Sequence, residues 1–454
     1  MIRITSETLA AFDRPVPRYT SYPTAPQFYS IDENLLISKF FAFDQSDKPL
    51  SLYLHIPFCK TMCLFCGCSV VLNRDPERQA RYFEALLQEI ALTAGRFSKK
   101  RSVTQLHLGG GTPTSLTEAQ FEQLMGHLYA LFEIAPGAEI SIEVDPRTVY
   151  ADQGRKLALL KKLGFNRVSF GVQDLDASVQ EAVKRRQSEE MTVTTYDKAR
   201  ELGFDGINID LIYGLPLQTA ASFAKTADRI ATLKPDRIAF YSYAKVPWLK
   251  AHQKAIPDAL LPLTDEKFQI YVESRERFIQ SGYVQIGMDH FSLKSDPIAK
   301  SYENKTLTRN FQGYSVQLAD DMLGFGITSI GYFENCFFQN IKGIDDYLNL
   351  LQQNKHPIFR GFALSEEDLL RRWVIQSLMC HFQLDKLEFA RRFGVDFDVH
   401  FACLRSRLDQ LKSEGLLEET AEMLLPTLLG QLFIRLVASE FDAYLNVGKF
   451  SRAV

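Results

Sequence analysis

An α/β fold built on a parallel sheet is what this sequence predicts, and three observations carry the expectation. From residue 50, short β-prone runs alternate with helix-length amphipathic segments. The rhythm persists for six β/α units before it breaks. The unusual polar, glycine and cysteine residues recur where those runs end. Alternation of this kind calls for a parallel sheet with helical crossovers. Six units suit a partial or complete barrel, with an open doubly wound sheet as competitor; spacing alone does not choose.

Residues 1–48 are mixed, and 17–25 (PRYTSYPTA) is too rich in proline and aromatics for a helix or a strand. The β-prone runs are 52–56, 103–108, 139–144, 167–170, 207–212 and 237–243. Between them lie amphipathic segments at 77–96, 118–131, 154–163, 192–202 and 222–233. The stretch 245–360 is less regular. Its 287–291 (GMDHF) and 309–314 (RNFQGY) are too polar and glycine-punctuated for ordinary core elements. From residue 364 the pattern turns helical, and 384–393, 401–414 and 428–441 read as a small, winged-helix-like domain. The expected organisation is an N-terminal extension over 1–48, a barrel domain with its extension over 49–360, and a mainly helical C-terminal domain over 361–454. No internal repeat stands out.

At 454 residues, with 46% apolar and 24% charged residues, the chain reads as a soluble protein of more than one core. A formal net charge of -3 gives no support for bulk nucleic-acid binding. Seven cysteines, clustered and odd in number, argue against a secreted disulfide framework. The first residues carry no apolar h-region, so no signal peptide is expected. No apolar run approaches the roughly 20 residues of a membrane helix. A cytoplasmic protein with no membrane and no nucleic-acid partner is the expectation.

Cys59, Cys63, Cys66 and Cys68, spaced C-x3-C-x2-C-x-C, directly follow the apolar run 51–58 (SLYLHIPF). Thiolates brought that close by a loop are a soft-metal site, with an iron–sulfur cluster or zinc as the usual occupant. Buried cysteines packed as small hydrophobes are the plainer reading. The intervening Lys60, Thr61 and Gly67 do not suit a core. Spacing leaves open whether four thiols are ligands or three.

In β/α folds the chemistry gathers at the carboxyl ends of the strands. The cysteines follow the first run, and Gly109-Gly110-Gly111-Thr112-Pro113 follows the second. Glu143 and Asp145 end the third, Gln173 and Asp174 follow the fourth, Asp210 lies in the fifth, and Tyr243 and Ala244 close the sixth. Every distinctive residue falls at one rim, which argues for one shared site.

Each of these has a blander reading. The three glycines lack the G-K-[ST] ending of a P-loop and could be a flexible turn, although they let backbone come close to a ligand. Glu143 and Asp145, two apart, would share one face of a strand, where carboxylates bind hydroxyls, an ammonium group or a metal. Pro146 turns the chain, which favours Glu143 as the inward ligand and leaves Asp145 open. Arg185 and Arg186 could clamp a carboxylate, although exposed helix arginines are commoner. His55 and His290 suit structural roles. Cys336, Cys380 and Cys403 lie in apolar surroundings and read as inert core thiols.

The loop 55–68 (HIPFCKTMCLFCGC) resembles the radical S-adenosylmethionine (SAM) signature. More narrowly, the chain resembles the oxygen-independent coproporphyrinogen III oxidase (dehydrogenase) family. The likeness runs through PRYTSYPTA, 105–114 (QLHLGGGTPT), 141–147 (SIEVDPR), 165–174 (FNRVSFGVQD), 208–216 (NIDLIYGLP), GMDHF and RNFQGY. It implies a partial radical-SAM (β/α)6 barrel with a C-terminal helical domain. By resemblance, Cys59, Cys63 and Cys66 hold a [4Fe–4S] cluster whose fourth iron binds SAM, and Cys68 is a catalytic, non-ligating thiol. Tyr53, Gly110, Glu143 and Ile330 match contacts of that SAM. Phe65, Gly111, Thr112, Gln173, Arg185, Asp210 and Ala244 match those of a second SAM. Lys245 stands in YAKVPW where the family pattern leads one to expect histidine.

The chemistry that the resemblance implies accounts for this ligand set. One electron cleaves the SAM sulfonium to methionine and a 5′-deoxyadenosyl radical, which removes a hydrogen atom from the β-carbon of a substrate propionate. Loss of carbon dioxide and one further electron leaves a vinyl group. The substrate is coproporphyrinogen III, and a low-potential donor such as flavodoxin or ferredoxin supplies electrons to a monomeric enzyme. Its four propionates need cations, for which Arg18 and Arg309 are candidates. A haem chaperone of the same superfamily, a radical-SAM enzyme acting on haem, and a zinc or electron-transfer protein are the competing readings.

Overall fold

The structure, a computed structural model, describes residues 4–72, 75–311, 313–316, 320–445 and 450–452. The chain forms two compact units: one from residues 28–211 and 317–363, the other from 1–27, 212–316 and 364–454.

The first unit carries the expected parallel sheet. Its strands are β1 (Leu50–Ile56), β2 (Ser102–Gly110), β3 (Glu133–Val144), β4 (Arg167–Gln173) and the greater part of β5 (Gly206–Tyr213). Each pairs in parallel with the next, with Leu54 opposite Leu108, Ile142 opposite Val168 and Phe170 opposite Ile209. The apolar positions of β1 are fully buried at Leu50, Leu52 and Leu54. Helices cross between the strands where periodicity placed them. Pro76–Ala94 starts on Asp75, whose carboxylate accepts from the Glu77 and Arg78 amides, and buries Tyr82, Phe83, Leu86, Leu87 and Ile90 along one stripe. Glu118–Leu131 is set by a capping box between Thr117 and Gln120.

Some boundaries move. Glu189–Glu201 begins before residue 192, because Ser188 caps a first turn of Glu189 and Glu190 that carries no apolar signal. Ala220–Leu233 likewise begins two residues before 222, on a capping box of Thr219 and Ser222. The irregular stretch 245–360 proves partly regular. Asp321–Phe325 pairs in parallel with β1, and Ile330–Phe333, Cys336–Asn340 and Ile358–Ala363 extend the sheet in antiparallel fashion. Strands this short, dense in aromatics and broken by turns, show no clean alternation.

In the second unit Arg237–Ser242 pairs antiparallel with His290–Leu293, which pairs with Tyr283–Ile286. GMDHF therefore runs into a buried strand, contrary to its polar look. Asp289 is tolerated there because Arg309 and His290 lie against it. Helix Glu366–His381 opens the stretch expected to turn helical from residue 364, and Lys386–Phe393 and Arg405–Ser413 follow. The last foreseen segment, 428–441, is split into Leu428–Leu432 and Ile434–Ser439. A three-stranded sheet of Leu384–Asp385, Met423–Pro426 and Leu417–Glu419 accompanies them. PRYTSYPTA belongs to this unit: Tyr19 Oη donates to Asp442 at 3.0 Å. Cys336 and Cys380 are buried as expected, whereas Cys403 is exposed. It sits on the short turn Ala402–Leu404, which has no buried residue. Among the described residues no helix is long and apolar enough to cross a membrane.

Candidate functional site

The cysteine loop leaves the end of β1 and is tied down at several points. Phe58–Cys59 bridges in parallel to Val71–Leu72, and the Val71 amide donates to Pro57 O at 2.8 Å. Within the loop the Cys66 amide donates to Cys63 O at 3.1 Å, and the Leu64 amide to Val183 O at 3.0 Å. His55 has the structural role expected of it. One ring nitrogen meets Tyr53 Oη at 3.0 Å and the other Ser69 O at 2.8 Å, which fixes the loop just beyond Cys68.

The glycine turn after β2 lies against the same loop. Gly110 has φ +121°, and a Cβ there would stand 2.8 Å from the His55 ring. A Cβ on Gly111 would meet Pro57 O at 2.4 Å, while its amide donates to Ile56 O at 2.8 Å. Only glycine lets these two chains approach so closely. Thr112 Oγ1 lies 3.3 Å from Cys59 Sγ. Burial pushes the Cys59 thiol up to about 11, against the Thr112 hydrogen bond and with help from the neighbouring Cys66 and Cys63. Cys68 is exposed as a residue, yet its thiol bonds back to Cys66, and that contact raises it well above the ordinary thiol range.

The two carboxylates of the third strand have separate fates. Glu143 accepts the Gly110 amide at 3.0 Å, lies 3.7 Å from His107 Nε2, and remains 43% exposed. Asp145 falls beyond the end of β3, where it caps helix Pro146–Tyr150. Burial acts to raise its carboxyl, but hydrogen bonds from Arg147 and the charges of Arg185 and Arg147 outweigh it and hold it below the usual range. Asp145 is thus an anchor for the Arg147 and Arg185 guanidinium groups.

Arg185 and Arg186 diverge completely. Arg186 is an exposed partner of Glu181. Arg185 is buried, donating from Nη1 to Cys63 Sγ at 3.6 Å and from Nη2 to Gly171 O at 2.5 Å. Gln173, at φ +70°, brings its amide over the same Gly171. Arg147 also hydrogen-bonds Cys63. Sequence reasoning missed that residue, although its place beside a strand-end Asp-Pro was a usable signal. Asp210 accepts from Ser169 Oγ at 3.1 Å and Asn208 Nδ2 at 2.7 Å. Ile330 lies on the far side of Tyr53: Gly324 pairs with Tyr53, and a Cβ on Gly324 would touch Ile330 backbone at 2.9 Å. Phe65 is half-buried in the cysteine loop. Ala244 follows Arg237–Ser242 in the other unit, where its carbonyl accepts from Gln253. Lys245 beside it bonds Ile256 O at 2.7 Å and Asp258 at 2.5 Å.

The donor set fits a cluster with one open iron. Cys59, Cys63 and Cys66 form no disulfide, Cys66 and Cys63 both raise the Cys59 thiol, and two guanidinium groups stand at Cys63 to balance thiolate charge. Among the described residues no three His, Cys, Asp or Glu side chains converge as a site for one ion. Arg185 Nε and Asn208 Oδ1 are buried without a partner among those residues, polar atoms of the kind a bound ligand satisfies.

Residues 53–230 match the Radical SAM superfamily, and residues 364–433 the HemN C-terminal domain. The chain is 42% identical to an oxygen-independent coproporphyrinogen III oxidase of Synechocystis sp., over all of this chain and 98% of that protein. The chain belongs to the oxygen-independent coproporphyrinogen III oxidase family. It is also 42% identical to the family member of Escherichia coli K12, over 96% of each chain. The solved structure of coproporphyrinogen III oxidase from Escherichia coli, described as a radical SAM enzyme, aligns with a TM-score of 0.89 at 41% identity, covering 95% of this chain and 100% of that one. The expected α/β radical-SAM fold with a helical C-terminal region is the fold of this family. A [4Fe–4S] cluster and SAM are its cofactors.

Proposed function

We propose that this chain decarboxylates two propionates of coproporphyrinogen III to vinyl groups, giving protoporphyrinogen IX in haem biosynthesis without oxygen. The observation that carries this reading is the meeting of Cys59, Cys63 and Cys66 with the Gly110–Glu143 contact at one rim of a parallel sheet, in a chain alike along its whole length to oxidases of that name.

Cys59, Cys63 and Cys66 would hold the cluster, and Tyr53, Gly110, Glu143 and Ile330 its SAM. Phe65, Gly111, Thr112, Gln173, Arg185, Asp210 and Ala244 would hold a second SAM. When bound, cluster and SAM supply a carbon-centred radical strong enough to take hydrogen from an unactivated carbon. The chain's own residues do the rest. The Gly110 amide orients Glu143 so that its carboxylate, still partly exposed, can receive hydroxyl or ammonium donors. Arg185 and Arg147 place positive charge at Cys63. Leu52, Leu54 and Ile142 alternate with Tyr53 and Glu143, so they are buried on the opposite face of the sheet and anchor the strands that present the site. Cys68, bonded to Cys66 yet exposed, is assigned to the substrate side as a catalytic thiol.

Residues 1–48, 49–360 and 361–454 would serve as N-terminal extension, barrel domain with its extension, and helical domain. A low-potential donor such as flavodoxin or ferredoxin, a monomeric state, and a cytoplasmic location without membrane or nucleic-acid partners complete the reading. The test is an anaerobic assay of reconstituted protein with coproporphyrinogen III, SAM and a reductant. Protoporphyrinogen IX, read as protoporphyrin fluorescence after oxidation, is the expected product. Stoichiometric haem binding with no SAM-dependent product would identify a haem chaperone instead.

A further inference from the structure

The second unit contains a cavity whose charge is out of balance. Its wall includes Arg18, Asp289, Arg435 and the aromatic rings of Tyr213, Phe268 and Tyr271. Arg18 Nη2 donates to Ser242 O at 2.6 Å, and Lys267 Nζ donates to the next carbonyl, Tyr243 O, at 3.1 Å. Two cations thus sit on consecutive carbonyls where Arg237–Ser242 ends. Arg435 adds a third positive charge, with its donors given to the carbonyls of Val16, Pro17, Ser451 and Arg452. Burial and then Arg18 hold Lys267 down to about 7, and burial and then Arg18 hold Arg435 down to about 9, so the Arg18 charge is felt by both.

Against this stand Asp13, which acts on Lys267 but is held by Arg452, and Asp289, which feels Arg18 but is already between Arg309 at 3.4 Å and His290 at 2.7 Å. Among the described residues no carboxylate pairs with Arg18, whose one hydrogen bond goes to Ser242 O. Enclosed cations are ordinarily paired. A guanidinium that lines a cavity, anchored at one nitrogen and lacking an acid, is shaped to receive a carboxylate. The aromatic walls suit the apolar stem and ring that would carry it. The same comparison separates the two arginines foreseen for propionates: Arg309 is committed to Asp289 and stacked 4.5 Å from the Tyr314 ring, whereas Arg18 is available.

We propose that this cavity receives a propionate carboxylate of the tetrapyrrole substrate on the Arg18 guanidinium, with Lys267 as the supporting cation at its edge. The inference rests on the tetrapyrrole reading above. The test is an anaerobic fluorescence titration of the cluster-loaded protein with coproporphyrin III, the stable oxidised form of the substrate, beside its tetramethyl ester, which lacks the charges. Arg18→Gln is expected to weaken coproporphyrin III binding about tenfold or more, the scale of a lost charge-assisted hydrogen bond, and to leave ester binding unchanged. Lys267→Met is expected to weaken it about threefold. Should Arg18→Gln fail to load its cluster, Arg18→Lys serves, with a smaller loss confined to the tetra-acid. Unchanged affinity for the tetra-acid, or an equal loss for acid and ester, overturns the subsite. A wild-type protein that makes protoporphyrinogen while its Arg18 variants bind normally rejects the subsite alone; one that binds no coproporphyrin rejects the substrate reading with it.

Discussion

Cys63 is the thiol on which the site's positive charge converges, from Arg185 Nη1 at 3.6 Å and from Arg147. Cys68 instead hydrogen-bonds back to Cys66. The two thiols should therefore separate under the same substitution. Cys63→Ser is expected to abolish SAM cleavage and leave well under full iron content, because a hydroxyl replaces a thiolate ligand. Cys68→Ser should keep the cluster absorbance and iron content and lose decarboxylation. Iron and sulfide analysis beside 5′-deoxyadenosine yield checks both, and equal iron loss in the two variants would refute the division of roles. At this scale the sequence was most legible where residue types are chemically rare: a run of cysteines, a glycine triplet, an acid at a strand end. The burial of Arg185 was not legible, because an arginine looks alike in sequence whether it points to solvent or to a thiol.

The helix Pro76–Ala94 shows what an element adds. Tyr82 donates to His55 O at 2.7 Å and accepts the Ile327 amide at 3.1 Å, joining the end of β1 to the turn that leads to Ile330. Two turns along, Glu89 accepts from the Gly326 amide at 2.7 Å, Asn340 Nδ2 at 2.6 Å and Tyr347 Oη at 2.6 Å. Burial drives the Glu89 carboxyl up to about 7, against those three donors. A carboxyl raised from its unfolded value near 4.5 favours the folded state below that pH. The favour is lost as pH rises through about 7, since the native state holds the proton longer. Glu89→Gln should remove this contribution. The stability difference between the variant and the wild type, from urea unfolding at pH 5 and pH 8, should shift in favour of the variant by up to about 3 kcal/mol. A difference independent of pH would show that Glu89 is ionised throughout. The strands and helices of the β/α repeats were readable from period, whereas the strands between residues 321 and 363 were not, Asp321–Phe325 parallel to β1 among them. Their pairing partners are set by turns such as Gly326–Ile330, which are held by side chains from a helix more than two hundred residues earlier.

Across the whole molecule, membership of a core is decided by contacts that no local pattern carries. Arg435 Nε donates to Pro17 O at 3.0 Å across 418 residues, and its Nη2 bonds Val16 O and Ser451 O. One buried guanidinium thereby fastens residues 16–17 and 451–452 within the unit that residues 212–316 complete. Contacts of such separation close only after the intervening chain is ordered, so periodicity says nothing of them. Their energetic weight is open to test. Arg435→Met keeps much of the volume and removes every donor, stranding buried carbonyls at about 1–3 kcal/mol each. The expected result is a loss of at least about 3 kcal/mol and faster tryptic cleavage after Arg18. Methionine also removes a charge that crowds Arg18 and Lys267, which works in the opposite direction. The two effects part under Arg435→Lys, which keeps the charge yet cannot reach four carbonyls at once. A lysine variant as readily cleaved as the methionine variant would assign Arg435 to fastening the chain. One that resists trypsin like the wild type would show that charge, and not the fan of hydrogen bonds, is what this position supplies.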